Sequence, residues 1–421
     1  SLHLLCIFTN INLFYLCYNK SVTYYEGVYP RVLALTFISF TEEHFMKILD
    51  NYITQLIENS TPQEPAWNIE KIRAGKPNTW NYIDGCMIKA LLTIYDITED
   101  ERYLNFADEF IDYFVNEDGT IKYYDPEEYN LDNVNAGKTL YRLYDLTHKE
   151  KYRKAMDTIY SQLQGQPRTK EGNFWHKEIY PDQIWLDGLY MAQPFYMQYE
   201  LSFCGGNACQ DSFKQFQTVR ELMRCEKNGL YYHAYDSSRK MFWCDKVTGL
   251  SSNFWLRAEG WFAMAIADTW EIMPESMSAE RDELKEMFCE LIDAMLPYQD
   301  EESGMWYQVI NLGGIKPNYL ETSGSAIFAY AIMKGVRLGL LDEKYFAYGE
   351  KAFYGICENF LNEKDGVLQL DNICLVAGLG NIDMREGTFE YYMREPIVKN
   401  DAKGVAPLIL AYTEILLRNK K

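Results

Sequence analysis

The sequence predicts an all-α chain in which six helical hairpins close into an (α/α)6 barrel. From Glu42 onward, apolar residues recur at helical spacing in one segment after another, and the long alternating runs typical of β-strands are scarce. A unit of two helices repeats along the chain, and long loops rich in Gly, Tyr, Trp and Asp separate the units. Loops of this length inside a compact domain are commonly functional.

Tight polar turns join the helical segments in pairs. Tyr95–Thr98 with Tyr103 matches Tyr144–Thr147 with Tyr152 at a period of 49 residues, and Asp342–Tyr345 repeats the second half of this unit. Each unit is therefore one helix, a turn and a second helix that returns antiparallel. The predicted helices are 42–58, 84–97, 100–115, 133–146, 149–164, 187–203, 209–224, 255–271, 278–296, 322–338, 342–361 and 403–418.

An open α-solenoid is the alternative architecture, with repeats that usually run to about 34–47 residues. The aromatic content of 15% and the unusual residues in the loops oppose it, since closure would place these loops at one mouth where a ligand could bind. No Pro/Ser linker divides the chain, so residues 41–421 are predicted to form a single domain. Residues 1–40 fit neither a signal peptide nor a membrane span, and we predict that they are a non-native or disordered extension.

The charge balance excludes several classes of partner. With 61 acidic and 41 basic residues the net charge is -20, which opposes general binding to nucleic acid or to anionic membranes. An anionic ligand would need cations gathered locally. The ten cysteines are scattered without a CxxC pair or zinc-site spacing, which is typical of a reduced, cytoplasmic protein. Cys204 and Cys209 are closest in sequence, and a disulfide between them is the less favoured option.

Two aspartates open successive predicted hairpins. Asp187 lies between Trp185 and Leu189, and taken alone its position favours a helix N-cap over a catalytic residue. Asp132 also opens a helix, and the same cap interpretation applies. Across a barrel mouth the two would face each other, and a charged Asp132 would raise the proton affinity of Asp187. A carboxyl group among large apolar side chains is then a candidate proton donor at neutral pH.

Other polar residues lie in aromatic surroundings. Arg257 is placed between Trp255 and Trp261, which fits either structural stacking or a ligand with a sugar face and a carboxylate. His176, Lys177 and His233 would add donors, although a lone loop histidine is more often merely exposed. The stretch Glu386–Tyr392 is predicted to form a β-turn or short strand over the mouth, with solvated or structural charges. Phosphate-loop, HExxH, GxSxG and EF-hand patterns are absent.

Six motifs follow one another in the chain: Leu131–Lys138, Phe174–Lys177, Trp185–Asp187, Phe254–Trp261, Glu321–Ala326 and Tyr391–Val405. Together they resemble glycoside hydrolase family 105, the unsaturated rhamnogalacturonyl hydrolases. The similarity runs from about residue 46 to 418, and such an ordered set is more specific than any single motif. Residues 1–40 match nothing in that family.

The resemblance implies an (α/α)6 barrel that acts on Δ4,5-unsaturated galacturonic acid attached to rhamnose, a small oligosaccharide left when pectin's rhamnogalacturonan is cut by a lyase. It also implies that Asp187 is the general acid/base and that Asp132 binds sugar hydroxyls and tunes it. Neither a metal, a cofactor nor an obligate protein partner is expected. The residues implied to line the pocket are Tyr82, His176, Lys177, Trp185, His233, Trp255, Arg257 and Trp261.

The chemistry fits the residues independently, because the substrate's C4=C5 bond is an enol ether that one protonated carboxyl group can activate. Aromatic faces would stack on the sugar, and Arg257 and Lys177 would pair with its carboxylate. Three alternatives stay open. Asp132 and Asp187 could hydrolyse a saturated glycoside with inversion, the chain could be a polysaccharide lyase on a similar barrel, or it could be a helical-repeat scaffold that binds a protein or glycan.

Overall fold

The computed structural model describes residues 45–380 and 383–420. The chain divides into two units, residues 1–49 and 50–421. Residues 45–49 of the first unit are described and are helical. The predicted extension at residues 1–40 lies outside the described residues, and the assignment of residues 41–421 to one domain stays a prediction. The following paragraphs concern the second unit.

The predicted twelve helices are all present among the described residues, together with three short ones. They are α1 (45–58), α2 (Ile69–Ala74), α3 (Tyr82–Thr98), α4 (Glu101–Phe114), α5 (Leu131–Val134), α6 (Lys138–Thr147), α7 (Glu150–Gly165), α8 (Leu186–Phe203), α9 (Cys209–Met223), α10 (Leu256–Ile272), α11 (Ser278–Met295), α12 (Thr322–Arg337), α13 (Phe346–Phe360), α14 (Phe389–Arg394) and α15 (Ala402–Asn419).

An inner ring closes on itself in the described residues. It consists of α3, the pair α5–α6, α8, α10, α12 and α15; each packs against the next, and α15 packs against α3. The helices α4, α7, α9, α11 and α13 pack outside the inner helix that precedes them. On α1, Asp50 accepts a hydrogen bond from Tyr412 of α15 at 3.1 Å. The architecture is therefore the predicted (α/α)6 barrel, and the open solenoid is wrong.

Inner and outer helices differ in burial, as their sequences require. On α4 the buried residues are Tyr103, Ala107, Phe110, Ile111 and Phe114, which form one apolar stripe at helical spacing. Every residue from Leu256 to Thr269 of α10 is buried, because this helix has neighbours on all sides. Close approach of α10 to α12 depends on Gly260, where a Cβ would lie 2.8 Å from Ile327.

Some local predictions differ from the structure. The helix predicted at 133–146 is divided into α5, a 3-10 turn at Asn135–Gly137 and α6. The predicted β-turn or strand at Glu386–Tyr392 is wrong over its second half, because Thr388 caps α14 by accepting a hydrogen bond from the Tyr391 amide. Three two-stranded antiparallel sheets were also not predicted: β1 (Gln183–Trp185) with β2 (Ala234–Asp236), β3 (Leu361–Lys364) with β4 (Val367–Leu370), and β5 (Ile373–Cys374) with β6 (Ile397–Val398).

The cysteine prediction is confirmed for the described residues. All eight cysteines there are free, including Cys204 and Cys209. The cytoplasmic location inferred from them stays a prediction. Within residues 45–380 and 383–420, no helix combines the length and the hydropathy that crossing a bilayer would require.

Candidate active site

The amino-terminal ends of the inner helices meet at one mouth of the barrel. Tyr82 is the first residue of α3, and burial raises its pKa well above the ordinary value, an effect to which the carboxylates of Glu70 and Asp132 add. The Arg257 guanidinium of α10 is close enough to oppose this shift. Side chains from the starts of α2, α3, α5 and α10 therefore share one electrostatic environment.

Asp187 is the second residue of α8 and does not cap it. The N-cap position belongs to Trp185, and no side chain caps this helix. The cap interpretation of Asp187 is therefore wrong. The antiparallel pair β1–β2 leads into α8, and the Leu186 amide donates a hydrogen bond to the His233 carbonyl at 3.2 Å. This pairing brings His233 Nε2 to 3.5 Å from Asp187 Oδ2, which is buried and has no closer partner among the described residues.

His233 provides an uncharged neighbour for that carboxyl group. Burial lowers the pKa of His233 below its ordinary value of 6.5, and the nearby Asp187 carboxylate only partly opposes this shift. The imidazole is therefore neutral at pH 7. On its other side, His233 Nδ1 lies 2.8 Å from the Tyr392 hydroxyl of α14, which fixes the orientation of the ring.

Asp132, the second residue of α5, is in a different electrostatic state. Lys177 Nζ lies 2.5 Å from Asp132 Oδ2, and His176 Nε2 lies 3.3 Å from Oδ1. Burial alone would raise the pKa of Asp132, but Lys177 and His176 outweigh it and hold the pKa well below its usual range. The Lys177 ammonium thus offsets the negative charge that was predicted to raise the proton affinity of Asp187.

The helix-capping role predicted for Asp132 is also wrong. Asn130 is the N-cap of α5, and its side chain accepts the hydrogen bond of the Asp132 amide at 3.1 Å. The Asp132 carboxylate is left to bind the two side chains of the Phe174–Lys177 motif. Acidic caps do occur elsewhere at this mouth, since Glu321 caps α12 and Asp401 caps α15.

The three predicted tryptophans do not offer open faces to a sugar. Trp185 stacks with His176 at 4.8 Å and with Tyr180 at 5.0 Å, with interplanar angles of 5° and 13°, and it is 6% exposed. The ring of Trp255 is 1% exposed and lies 4.7 Å from His233. Trp185 and Trp255 therefore support the histidines that they contact, and their place in the sugar-binding pocket stays a prediction.

Trp261 and Arg257 lie deeper than predicted. Trp261 is 1% exposed and stacks on Tyr190 at 4.9 Å, about one turn into α10 and α8. Arg257 is equally buried, and its Nη1 donates to the Ser323 hydroxyl at 3.1 Å and to the Cys374 carbonyl. Its Cζ also lies 4.8 Å from the Trp255 ring, so stacking and hydrogen bonding together fix the guanidinium.

The comparison with known proteins agrees with this geometry. The family model described as Glycosyl Hydrolase Family 88 matches residues 21–419. The chain belongs to this family. A solved glycoside hydrolase of family 105 from C. acetobutylicum ATCC 824 is 43% identical and has a TM-score of 0.81. The match covers 87% of this chain and 98% of that protein. The predicted family resemblance is therefore confirmed.

Two further relatives of this family 88 protein are more distant or shorter. Protein Atu3128 of Agrobacterium fabrum is 38% identical over 234 residues, which cover 54% of this chain and 99% of the relative. The unsaturated rhamnogalacturonyl hydrolase YesR of Bacillus subtilis is 27% identical over 300 residues, 68% of this chain and 77% of the relative. The family 88 protein is accordingly a glycosidase with a carbohydrate substrate.

The mouth of this glycosidase contains residues that the sequence reasoning missed. Tyr392 contacts His233, and Tyr180 covers one face of Trp185 while accepting a hydrogen bond from Arg385 at 2.9 Å. Tyr392 belongs to the motif Tyr391–Val405, and Tyr180 lies between the motifs Phe174–Lys177 and Trp185–Asp187. Their nearness to these motifs was the one sequence feature that could have suggested a place in the site. The sequence could not show which rings these tyrosines would contact.

Proposed function

We propose that this glycosidase releases Δ4,5-unsaturated galacturonic acid from rhamnogalacturonan-derived oligosaccharides, with Asp187 as general acid and base. One observation supports this above all: Asp187 stands at the barrel mouth with a buried Oδ2 atom and with His233, whose pKa burial lowers, at 3.5 Å, and no Lys or Arg of the described residues is paired with it. A carboxyl group in this position is suited to general acid–base catalysis.

The reaction needs one proton donor and one water molecule. Asp187 protonates C4 of the C4=C5 enol ether, and the ring oxygen stabilises the positive charge that forms at C5. The Asp187 carboxylate then takes a proton from the water that attacks C5. The resulting hemiketal opens to a ketone at C5 and leaves a hemiacetal at C1, which expels the aglycone alcohol. No metal ion or organic cofactor takes part in these steps.

The roles of the surrounding residues follow from their contacts. Asp132, ionised and held by Lys177, is suited to accept hydrogen bonds from sugar hydroxyls. Lys177 is 21% exposed and Arg257 lies at the start of the neighbouring helix α10, so both are candidates for pairing with the C6 carboxylate. Support for this substrate class comes from the name of the Bacillus subtilis relative, which is 27% identical.

Ultraviolet absorbance of the substrate alkene tests the proposal. The purified protein is incubated with a disaccharide of Δ4,5-unsaturated galacturonic acid linked to rhamnose, and with matched disaccharides of other aglycones. We expect the alkene absorbance to fall, most rapidly for the rhamnose compound. A rise in absorbance on intact rhamnogalacturonan would identify a lyase instead, and release of sugar from saturated glycosides with flat absorbance would identify an ordinary hydrolase.

A further inference from the structure

A small cavity adjoins His176. Its volume is about 10 Å³, close to the space that one water molecule needs. Leu131, Ile184 and Leu189 are among its apolar lining residues, and the polar ones are Asn173, His176, Gln193 and Gln215. Of these polar residues, His176 and Gln215 are both 3% exposed, and among the described residues neither His176 Nδ1 nor Gln215 Nε2 has a hydrogen-bond partner. A buried polar atom of this kind is normally satisfied, by protein or by water.

The orientation of the Gln215 amide is fixed by its neighbours. The Phe174 backbone amide, which can only donate, lies 3.1 Å from Gln215 Oε1, so this atom must be the oxygen. Gln193 Nε2 donates to the same oxygen at 3.1 Å, and Gln193 Oε1 accepts from the Ser212 hydroxyl at 2.8 Å. The Gln215 NH2 group is therefore the part of the amide that is left to face the cavity.

The same geometry bears on the tautomer of His176. A water molecule that accepts a hydrogen bond from Gln215 Nε2 can donate one to His176 Nδ1, and Nδ1 is then the acceptor nitrogen of the ring. The ring proton is left on Nε2, 3.3 Å from Asp132 Oδ1. The ring is held close to α8, because a Cβ at Gly188 would lie only 2.9 Å from His176 Nδ1. His176 thus has little freedom to turn its Nδ1 away.

We propose that Ser212, Gln193 and Gln215 form a buried relay that holds one water molecule beside His176 and so fixes the orientation of this imidazole, with its Nε2–H donating to Asp132. Gln215 is then a positioning residue that acts on Asp132 through the water and His176. The charged groups that face His176 are Asp132 and Lys177, which already form an ion pair with each other.

The function of the relay rests on the role proposed for Asp132, but its main test does not. Histidine labelled with ¹⁵N is incorporated into the full chain, and the ring nitrogens are observed at pH 7 without substrate; His176→Gln assigns the signals. We expect a proton on His176 Nε2, with Nδ1 shifted as a hydrogen-bond acceptor. In Gln215→Met the acceptor shift of Nδ1 should disappear.

The control is Gln217→Met on the same helix, since Gln217 donates to Glu283 at 2.9 Å and does not line the cavity. It should leave the His176 signals as in the wild type. We expect kcat to fall about fivefold in Gln215→Met, the effect of one neutral hydrogen bond, with KM nearly unchanged. A proton on His176 Nδ1 in the wild type, or an unchanged Nδ1 signal in Gln215→Met, would overturn the relay. Failure of the alkene assay would instead refute the proposed function and leave the nuclear magnetic resonance result standing.

Discussion

Asp132 and Asp187 occupy matching places in the barrel and have opposite electrostatic surroundings. Each is the second residue of an inner helix whose N-cap is another residue. Asp132 is bound by an ammonium group and an imidazole, which hold its pKa low. Among the described residues, Asp187 has His233 as its one basic side chain within 4.0 Å, and burial lowers the pKa of that imidazole. The role of a carboxyl group is therefore not decided by its position along the helix. It is decided by the side chains that the loops place beside it.

The loops that supply these partners differ in a simple way. The loop that precedes α8 places His176 and Lys177 beside Asp132, and it ends in β1. The strand β2 pairs with β1, and His233, the residue before β2, lies beside Asp187. No Lys or Arg of the described residues is paired with Asp187. The loop before β1 thus supplies a cation to Asp132, whereas the residue before β2 gives Asp187 an imidazole. Variants that remove these partners should therefore affect the two aspartates differently.

The largest effect is expected for Asp187→Asn. The variant keeps the shape of the side chain but cannot donate or accept the transferred proton, so kcat should fall by about 10²–10⁴-fold. The unfolding free energy should change by less than about 1 kcal/mol, because no ion pair is lost. Alkene absorbance and chemical denaturation measure the two quantities. Turnover at the wild-type rate would remove Asp187 from the reaction.

Asp132→Asn should lower activity less than Asp187→Asn does, and it should lower stability more. Loss of its charged hydrogen bonds to the substrate should lower kcat/KM by about 10- to 100-fold, and the unpaired Lys177 should lower the unfolding free energy by about 1–2 kcal/mol. Lys177→Met is the matched partner variant, and the two losses of stability should not add. If Asp132→Asn were as stable as the wild type, the ion pair would have no energetic weight.

The pH dependence of this loss follows from the lowered pKa of Asp132. The folded-state pKa lies below the unfolded value of about 3.9, so the ionised carboxylate stabilises the fold at every pH above about 4. That contribution is lost as the pH falls through the folded-state value. The stability difference between the wild type and Asp132→Asn should therefore be constant from about pH 5 to 8 and should shrink only below about pH 4.

The barrel could be predicted from the sequence because its signals are local. Helical spacing and the repeated turn at Tyr95–Thr98 and Tyr144–Thr147 depend on residues within one hairpin, and the structure places helices at all twelve predicted segments among the described residues. The interruption at Asn135–Gly137 was missed, because 3-10 geometry there gives no distinct apolar pattern. The β1–β2 pair was missed for another reason: strands of three residues are too short to show alternation.

The site could be predicted only as a set of residues, not as a set of contacts. Trp185 was predicted to line the pocket, but the sequence did not show that its ring would stack with His176 and Tyr180. The pairing of Asp132 with Lys177 joins residues 45 positions apart, and that of His233 with Tyr392 joins residues 159 apart. Periodicity carries no information about such contacts, since they depend on how the loops fold over the mouth.

Arg257→Ala should raise KM by about tenfold, provided that the guanidinium pairs with the substrate carboxylate. The variant also loses hydrogen bonds to Ser323 and to the Cys374 carbonyl, so its stability must be measured alongside. The methyl ester of the unsaturated uronide separates the two effects. Esterification should raise KM for the wild type and have little further effect on Arg257→Ala. A full effect of the ester on the variant would place the carboxylate at Lys177 instead.

The smallest effect is expected for Tyr392→Phe. This variant tests whether the orientation of His233, the neighbour of Asp187, depends on the Tyr392 hydroxyl. The variant removes the hydroxyl that lies 2.8 Å from His233 Nδ1, and kcat should fall about three- to fivefold with KM unchanged. Tyr391→Phe is the control, since the Tyr391 hydroxyl accepts a hydrogen bond from the Gly378 amide rather than from His233. Because the pKa of His233 already lies below 6.5, the loss should be the same from about pH 7 to 8. Equal losses in the two variants would mean that the tyrosines only pack the mouth, and that His233 orients itself by its contact with Trp255 alone.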